Sequence, residues 1–198
     1  MEMNASGGAV EVERREKEWK EANRGGVRWS HLVLRLMALV LTLLAAVLLA
    51  VDRQTKVVPI RVISTLPPVH VPITAKSHYL SAFVYFVVVN AVACAYVAFS
   101  LVLTLAASGG KRGLTLMITI LDLVMVGLIF SGNGAAGAIG VIGYEGNSRV
   151  RWNKVCNVFS KFCHLVAIAL ISSLLGGVMF LWLIILATLN LHTTSRVP

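Results

Sequence analysis

Arg35 and Asp122 are the two charged residues of this chain that stand inside long apolar runs. An ionisable side chain in hydrocarbon costs roughly 2.5–3.5 kcal/mol on insertion scales, so each needs a partner or an escape to water. An acid and a base in such places allow two chemistries. One is a buried guanidinium–carboxylate pair, capable of bidentate geometry. The other is the ion or proton site of a small transporter or channel. Arg35 is about four residues into its run, roughly 6 Å deep, and Asp122 is about eight residues into its own, roughly 12 Å deep. Both runs start on the same side of the bilayer, and a long Arg side chain can close that difference. The expectation is therefore a structural pair. Snorkelling to the headgroups is open to Arg35, whereas Asp122 is too short for it and requires an internal partner more strongly.

Cys156 and Cys163 share one connector, with six residues between them. If that connector faces an oxidising compartment a disulfide is expected, and if it faces the cytosol free thiols are. Zinc binding by this pair with His164 lacks a fourth ligand, so no metal is expected. The stretch RWNKVCNVFSKFC sets Trp152, Phe159 and Phe162 among Arg151, Lys154 and Lys161, a pattern that suits an amphipathic segment at the interface. Cys94 falls inside an apolar run and reads as a core residue. His31, His70, His78, His164 and His192 are scattered, none in an HExxH or GxSxG setting. Gly132, Gly134 and Gly137 follow no strand and lack the Lys and Ser/Thr of a phosphate loop, so no nucleotide or other cofactor is expected. With no catalytic set, the chain is not expected to be an enzyme. The Asn4-Ala5-Ser6 sequon matters only if the tail is lumenal.

The elements that must position these residues follow from hydropathy. Of 198 residues 57% are hydrophobic and only 14% are charged, against about 25% in soluble chains. Four runs, at about 31–51, 80–106, 114–142 and 165–189, each reach the roughly 20 residues that cross a bilayer core. The expected fold class is all-α, a four-helix transmembrane bundle with both termini on one side. Residues 1–30 read as a polar tail without fixed structure, and 193–198 as a second tail. Residues 52–79, with Pro59, Pro67, Pro68 and Pro72, and residues 143–164 read as outward loops. Residues 107–113 read as a tight turn. About 30 polar residues precede the first run, so it is expected to serve as an uncleaved signal anchor. Lys and Arg number nine on the side of the termini and eight on the other, so the positive-inside rule does not orient the chain. The long charged tail is costly to translocate and favours cytoplasmic termini. The net charge of +9 is spread over every polar segment, which suits anionic headgroups and excludes a nucleic-acid stripe.

Small residues recur at helix-contact spacing. Gly132, Ala136 and Gly140 form a ridge in the third run, which also carries Gly127, Ser131, Asn133 and Gly134. The fourth run offers Ser172 with Gly176 and Ser173 with Gly177, and the second offers Ala91, Cys94 and Ala95 beside Asn90. Such spacing lets helices approach closely. Packing within the bundle is the first expectation, and contact between subunits the second.

An Arg at the start of the first span and an Asp within the third resemble the Casparian strip membrane domain protein family of plants. So do YFVVVNAVACAY, DLVMVGLIFSGNGAAGAIGVIGYEGN and WNKVCNVFSKFC, in that order. The resemblance covers roughly residues 28–192 and is that of a CASP-like member, related more remotely to four-span MARVEL proteins. It implies a plasma-membrane location, cytoplasmic termini, and homodimers or larger homo- and hetero-oligomers with paralogues that assemble into membrane platforms. In the founding members such platforms form a diffusion barrier and guide local cell-wall modification, which implies cell-wall-modifying proteins as partners beside membrane lipids. Arg35, Asp122, Cys156 and Cys163 are the positions that carry over. The first outward loop, VHVPITAKSHYL, departs from the short signature of strip-forming members, which puts strip deposition itself in doubt. Claudins expect a Trp and paired Cys in the first large loop and tetraspanins a Cys-Cys-Gly in the second, so both fit worse. The function expected is a non-enzymatic scaffold, the alternative a small transporter or channel using Arg35 and Asp122.

Overall fold

The computed structural model describes residues 3–60, 69–76, 80–106, 112–146, 154–157 and 159–195. Its elements are helix α1 (Met3–Val51), strands β1 (Arg53–Ile60) and β2 (Val69–Lys76), and helices α2 (Ser81–Ala106), α3 (Arg112–Glu145) and α4 (Ser160–Ser195). Four segments are long and apolar enough to cross a membrane: Trp29–Val51, Ser81–Ala106, Gly113–Glu145 and Ser160–Asn190. They coincide with the four apolar runs, all but the second being longer than the run itself.

Each span buries one stripe at near-heptad spacing. In α1 it is Arg35, Ala38, Thr42, Ala45 and Leu49, and in α2 Phe83, Phe86, Asn90, Ala93, Val97 and Ser100. Steps of three and four residues keep such a stripe on one face and suit helices packed almost in line. Extensive contacts join α1 to α2, α2 to α3, α3 to α4 and α4 to α1, so the helices form a ring with α1 opposite α3. Two apolar clusters stack along the axis. One, around Leu49, Phe83, Phe86, Phe162 and Ala169, lies toward the strands, and the other, around Ala38, Val97, Ile129 and Phe180, toward the opposite end.

Glycine permits the tight approaches. A Cβ on Gly176 would lie 3.1 Å from Thr42 Cγ2, and one on Gly177 3.3 Å from Ile129 Cγ2. Gly132 packs on Val89 and Phe86 of α2, and Ala136 is fully buried. Gly140 departs from the expected ridge: a Cβ there would meet nothing within 4 Å. It lies eight residues past Gly132, and the 3.6-residue period turns it away from the α2 contact.

Helices α3 and α4 take in residues 143–145 and 160–164 of the expected second loop, and α4 takes in residues 193–195 of the expected tail. Two further segments differ from what the sequence led us to expect. Residues 3–30 continue α1 as helix in place of an unstructured tail. Opposite charges stand four apart at Glu13 and Lys17 and at Glu16 and Lys20, and Arg14 pairs with Glu11 at 3.0 Å, spacings that support a helix. The first loop contains an antiparallel hairpin, with Arg53 opposite Lys76 and Ile60 opposite Val69. Pro59 and Pro72 forbid a helix there but not a two-stranded ribbon, in which both strands are edges. Most of the expected 107–113 turn, much of the 143–164 loop and residues 196–198 lie outside the described residues.

Candidate functional site

The interior of the bundle carries two polar layers. In the first, Arg35 of α1 reaches across the ring to Asp122 of α3, with Nη2 3.1 Å from Oδ2. The contact is through one nitrogen and one oxygen, not the fork of a bidentate pair. Nη1 donates instead to Ser100 Oγ on α2 at 2.5 Å, and the Tyr96 hydroxyl lies 2.7 Å from Asp122 Oδ1. Ser100 in turn donates to the Val97 carbonyl at 2.9 Å. Arg35 is 4% exposed and Asp122 1%. Both carboxylate oxygens and two guanidinium nitrogens thus have partners where water is excluded, the condition under which a buried pair holds its charge. Tyr96 also stacks on Phe180 at 6.3 Å, which brings α4 to the same level.

The second layer is neutral and sits between the two apolar clusters. Ser173 Oγ donates to Asn90 Oδ1 at 2.8 Å and accepts from Asn133 Nδ2 at 2.8 Å. The two amides also donate to their own helices, at the carbonyls of Phe86 and Ile129. One hydroxyl so ties α2, α3 and α4, while the first layer ties α1, α2 and α3. Asn90 is ten residues before Ser100 in α2, which separates the layers by about 15 Å. In the sequence, Asn90 and Asn133 stood out only as neighbours of small residues, and Tyr96 and Ser100 not at all. An Asn inside an apolar run is itself the signal for an interhelical hydrogen bond.

At the strand end, Asp52 closes α1 and is 3% exposed. Its Oδ2 has no hydrogen-bond partner among the described residues, and burial pushes its carboxyl up from 3.8 to about 6. Cys156 and Cys163 are joined by a disulfide with Cα atoms 5.7 Å apart. Phe159 and Phe162 do not lie at the interface as expected. The turn before α4 folds them inward, each 7% exposed, with Phe162 6.1 Å from the Phe83 ring. Lys154 and Lys161 are exposed, and Arg151 and Trp152 lie outside the described residues. Ser172 is buried beside Gly176, Cys94 is half-buried, and His164 is exposed. Among the described residues no cluster of His, Cys, Asp and Glu could hold a metal ion.

The fold and its polar layers define a class: a four-span α-helical membrane protein with an Arg–Asp pair across the bundle and a disulfide-tied loop before the last span. The chain belongs to the Casparian strip membrane protein domain family, whose domain matches residues 24–179. It is similar to CASP-like protein 1E2 of Vitis vinifera, at 60% identity over 91% of this chain and 93% of the relative. It is 53% identical to CASP-like protein 1E2 of Glycine max, over 91% of this chain and 97% of that one. CASP-like protein 1E1 of Arabidopsis thaliana is 48% identical, over 92% and 94%. No solved structure matches.

Proposed function

We propose that this protein is a non-enzymatic scaffold of the plasma membrane, which oligomerises side by side with itself and its paralogues. The observation that carries the reading is the outer face of α3. Gly127, Ser131, Gly134 and Ala138 recur at steps of four, three and four residues and are all exposed. A Cβ on Gly127 or Gly134 would meet nothing within 4 Å. In the apolar 18-residue stretch of the third span only 17% of residues are buried within the chain, against 33–39% in the corresponding stretches of the others. A smooth helix face that the chain leaves uncovered suits close approach by a neighbouring helix.

The transporter reading has less support. Asp122 and Arg35 are sealed by Tyr96, Ser100 and the packing around them. The disulfide favours an oxidising compartment for the strand end of the bundle, hence cytoplasmic termini. Family membership supports a role among organisers of membrane platforms that set a diffusion barrier or guide cell-wall modification, with wall-modifying proteins as partners. Cross-linking in native membranes tests the assembly. Gly127→Leu with Gly134→Leu should shift the cross-linked population toward monomer while the disulfide and folded monomer persist. An unchanged ladder would refute the α3 face as the contact.

A further inference from the structure

Asp52 ends a buried stripe and stands at a hinge. The stripe of α1 passes through Ala45 and Leu49, and one further step of three residues reaches Asp52, which is 3% exposed. Leu49 belongs to the apolar cluster that includes Phe83, Phe159 and Phe162. The first span ends at Val51 and strand β1 begins at Arg53, so Asp52 alone joins the two. Strand β1 also touches α4. The root of the hairpin is thus held where this one side chain is seated.

The seat suits a carboxylic acid and not a carboxylate. Oδ2 is buried without a hydrogen-bond partner, and an ion kept from water needs both pairing and hydrogen bonds. Along α1 the next charge is Arg35, which Asp122 holds. Helix α2 has no Asp, Glu, Lys, Arg or His, α3 ends on Glu145, and α4 starts with Lys161 and His164. The hairpin carries Arg53, Lys56, His70 and Lys76, with Arg53 opposite Lys76 at its root. Among the described residues, burial is the one cause that raises the Asp52 carboxyl from 3.8 to about 6. An ionised Asp52 therefore has no compensation in its seat, and gains water by leaving it.

We propose that Asp52 is a proton-operated latch for the β1–β2 hairpin. With its proton on, the side chain stays in the apolar seat and holds the hairpin root against the bundle. With the proton lost to water, the carboxylate withdraws and the hairpin lifts with it. This device does not depend on the α3 assembly face. An isolated two-stranded hairpin is marginal in water, so the lifted ribbon frays and its ladder amides exchange. Carboxyl values of about 6 when seated and 3.8 when released weaken docking about tenfold from pH 5 to pH 7. Hydrogen exchange on the full-length protein in phosphatidylcholine nanodiscs reads this. After correction for intrinsic rates, protection of residues 53–60 and 69–76 should fall about tenfold between those pH values. Amides of the second span should stay unexchanged, as in an intact bundle. Asp52→Asn, which mimics the protonated acid, should leave the hairpin equally protected at both. Equal protection at pH 5 and 7 in the unmodified protein overturns the latch. So does a loss of protection toward acid, the sign expected if His70, His78 or His164 gained protons beside the lysines. A fall shared by the second span is unfolding and overturns a local latch, and a fall that survives Asp52→Asn overturns the assignment to Asp52.

Discussion

A guanidinium shared between a carboxylate and a serine hydroxyl is more exacting than an isolated ion pair. Removing Arg35 alone strands Asp122 where it is 1% exposed, and losing one partner of a buried pair costs about 3–5 kcal/mol. Arg35→Ala should therefore unfold far more readily in mixed micelles than Arg35→Met with Asp122→Leu, which replaces both charges by apolar groups. Equal losses would mean that the pair contributes shape and not charge compensation. Asp122→Asn keeps an acceptor for the Tyr96 hydroxyl and should fall between the two. Asp52 supplies a pH response of definite sign. Its carboxyl rises from 3.8 to about 6 in the fold, so between these values the folded chain binds more protons than the unfolded one. Stability from this group is thus full below pH 3.8 and lost as the pH rises through about 6. Unfolding curves at pH 5 and 7 should show the protein more stable at pH 5, and Asp52→Asn should remove the group's contribution to that difference.

At the scale of helices, glycines with similar spacing have unlike roles. A side chain on Gly176 would run into Thr42 of α1 at 3.1 Å, whereas one on Gly134 would enter open space. Gly176→Leu should push α1 and α4 apart and destabilise the monomer by about 1–3 kcal/mol, the range for overpacking. Gly134→Leu should leave monomer stability unchanged, and thermal unfolding of the two variants in one detergent distinguishes them. The four spans were legible because an apolar run of bilayer length has few other uses. Arg35 and Asp122 were legible as a pair because depth and direction follow from position in those runs. Gly132 and Gly140 were not separable, since the small-residue pattern gives spacing but not which face meets which neighbour. The hairpin was hidden for a related reason: prolines argue against helix in residues 52–79 but do not say which strands pair. Phe159 and Phe162 misled because cations beside aromatics look the same at an interface and on a turn that folds inward.

Taken whole, the molecule is a ring of helices stitched at two levels, with three helices joined at each. No single helix can slide or rotate without breaking hydrogen bonds on at least one other, which fixes both register and handedness of the ring. Ser173→Ala removes the hub of the neutral layer and should cost about 0.6–1.7 kcal/mol, from the average to the maximum measured for hydrogen bonds between membrane helices. A larger loss would mean that the two layers act cooperatively, and a double mutant with Tyr96→Phe would measure that coupling. The Arg35–Asp122 contact also has a consequence in time. Its partners are separated by 87 residues of chain, and at 5–20 residues per second the ribosome needs about 4–17 s to make the second after the first. Throughout that interval the first span must reside in the membrane with a cation that has no acid to meet, and the polar headgroups are its nearest refuge. The maturing protein then withdraws the charge inward as the third span arrives, a step away from water that precedes the docking of α4. A cysteine placed at Arg35 should react with aqueous maleimide in ribosome-bound chains that end before Asp122, and become protected once α3 is complete.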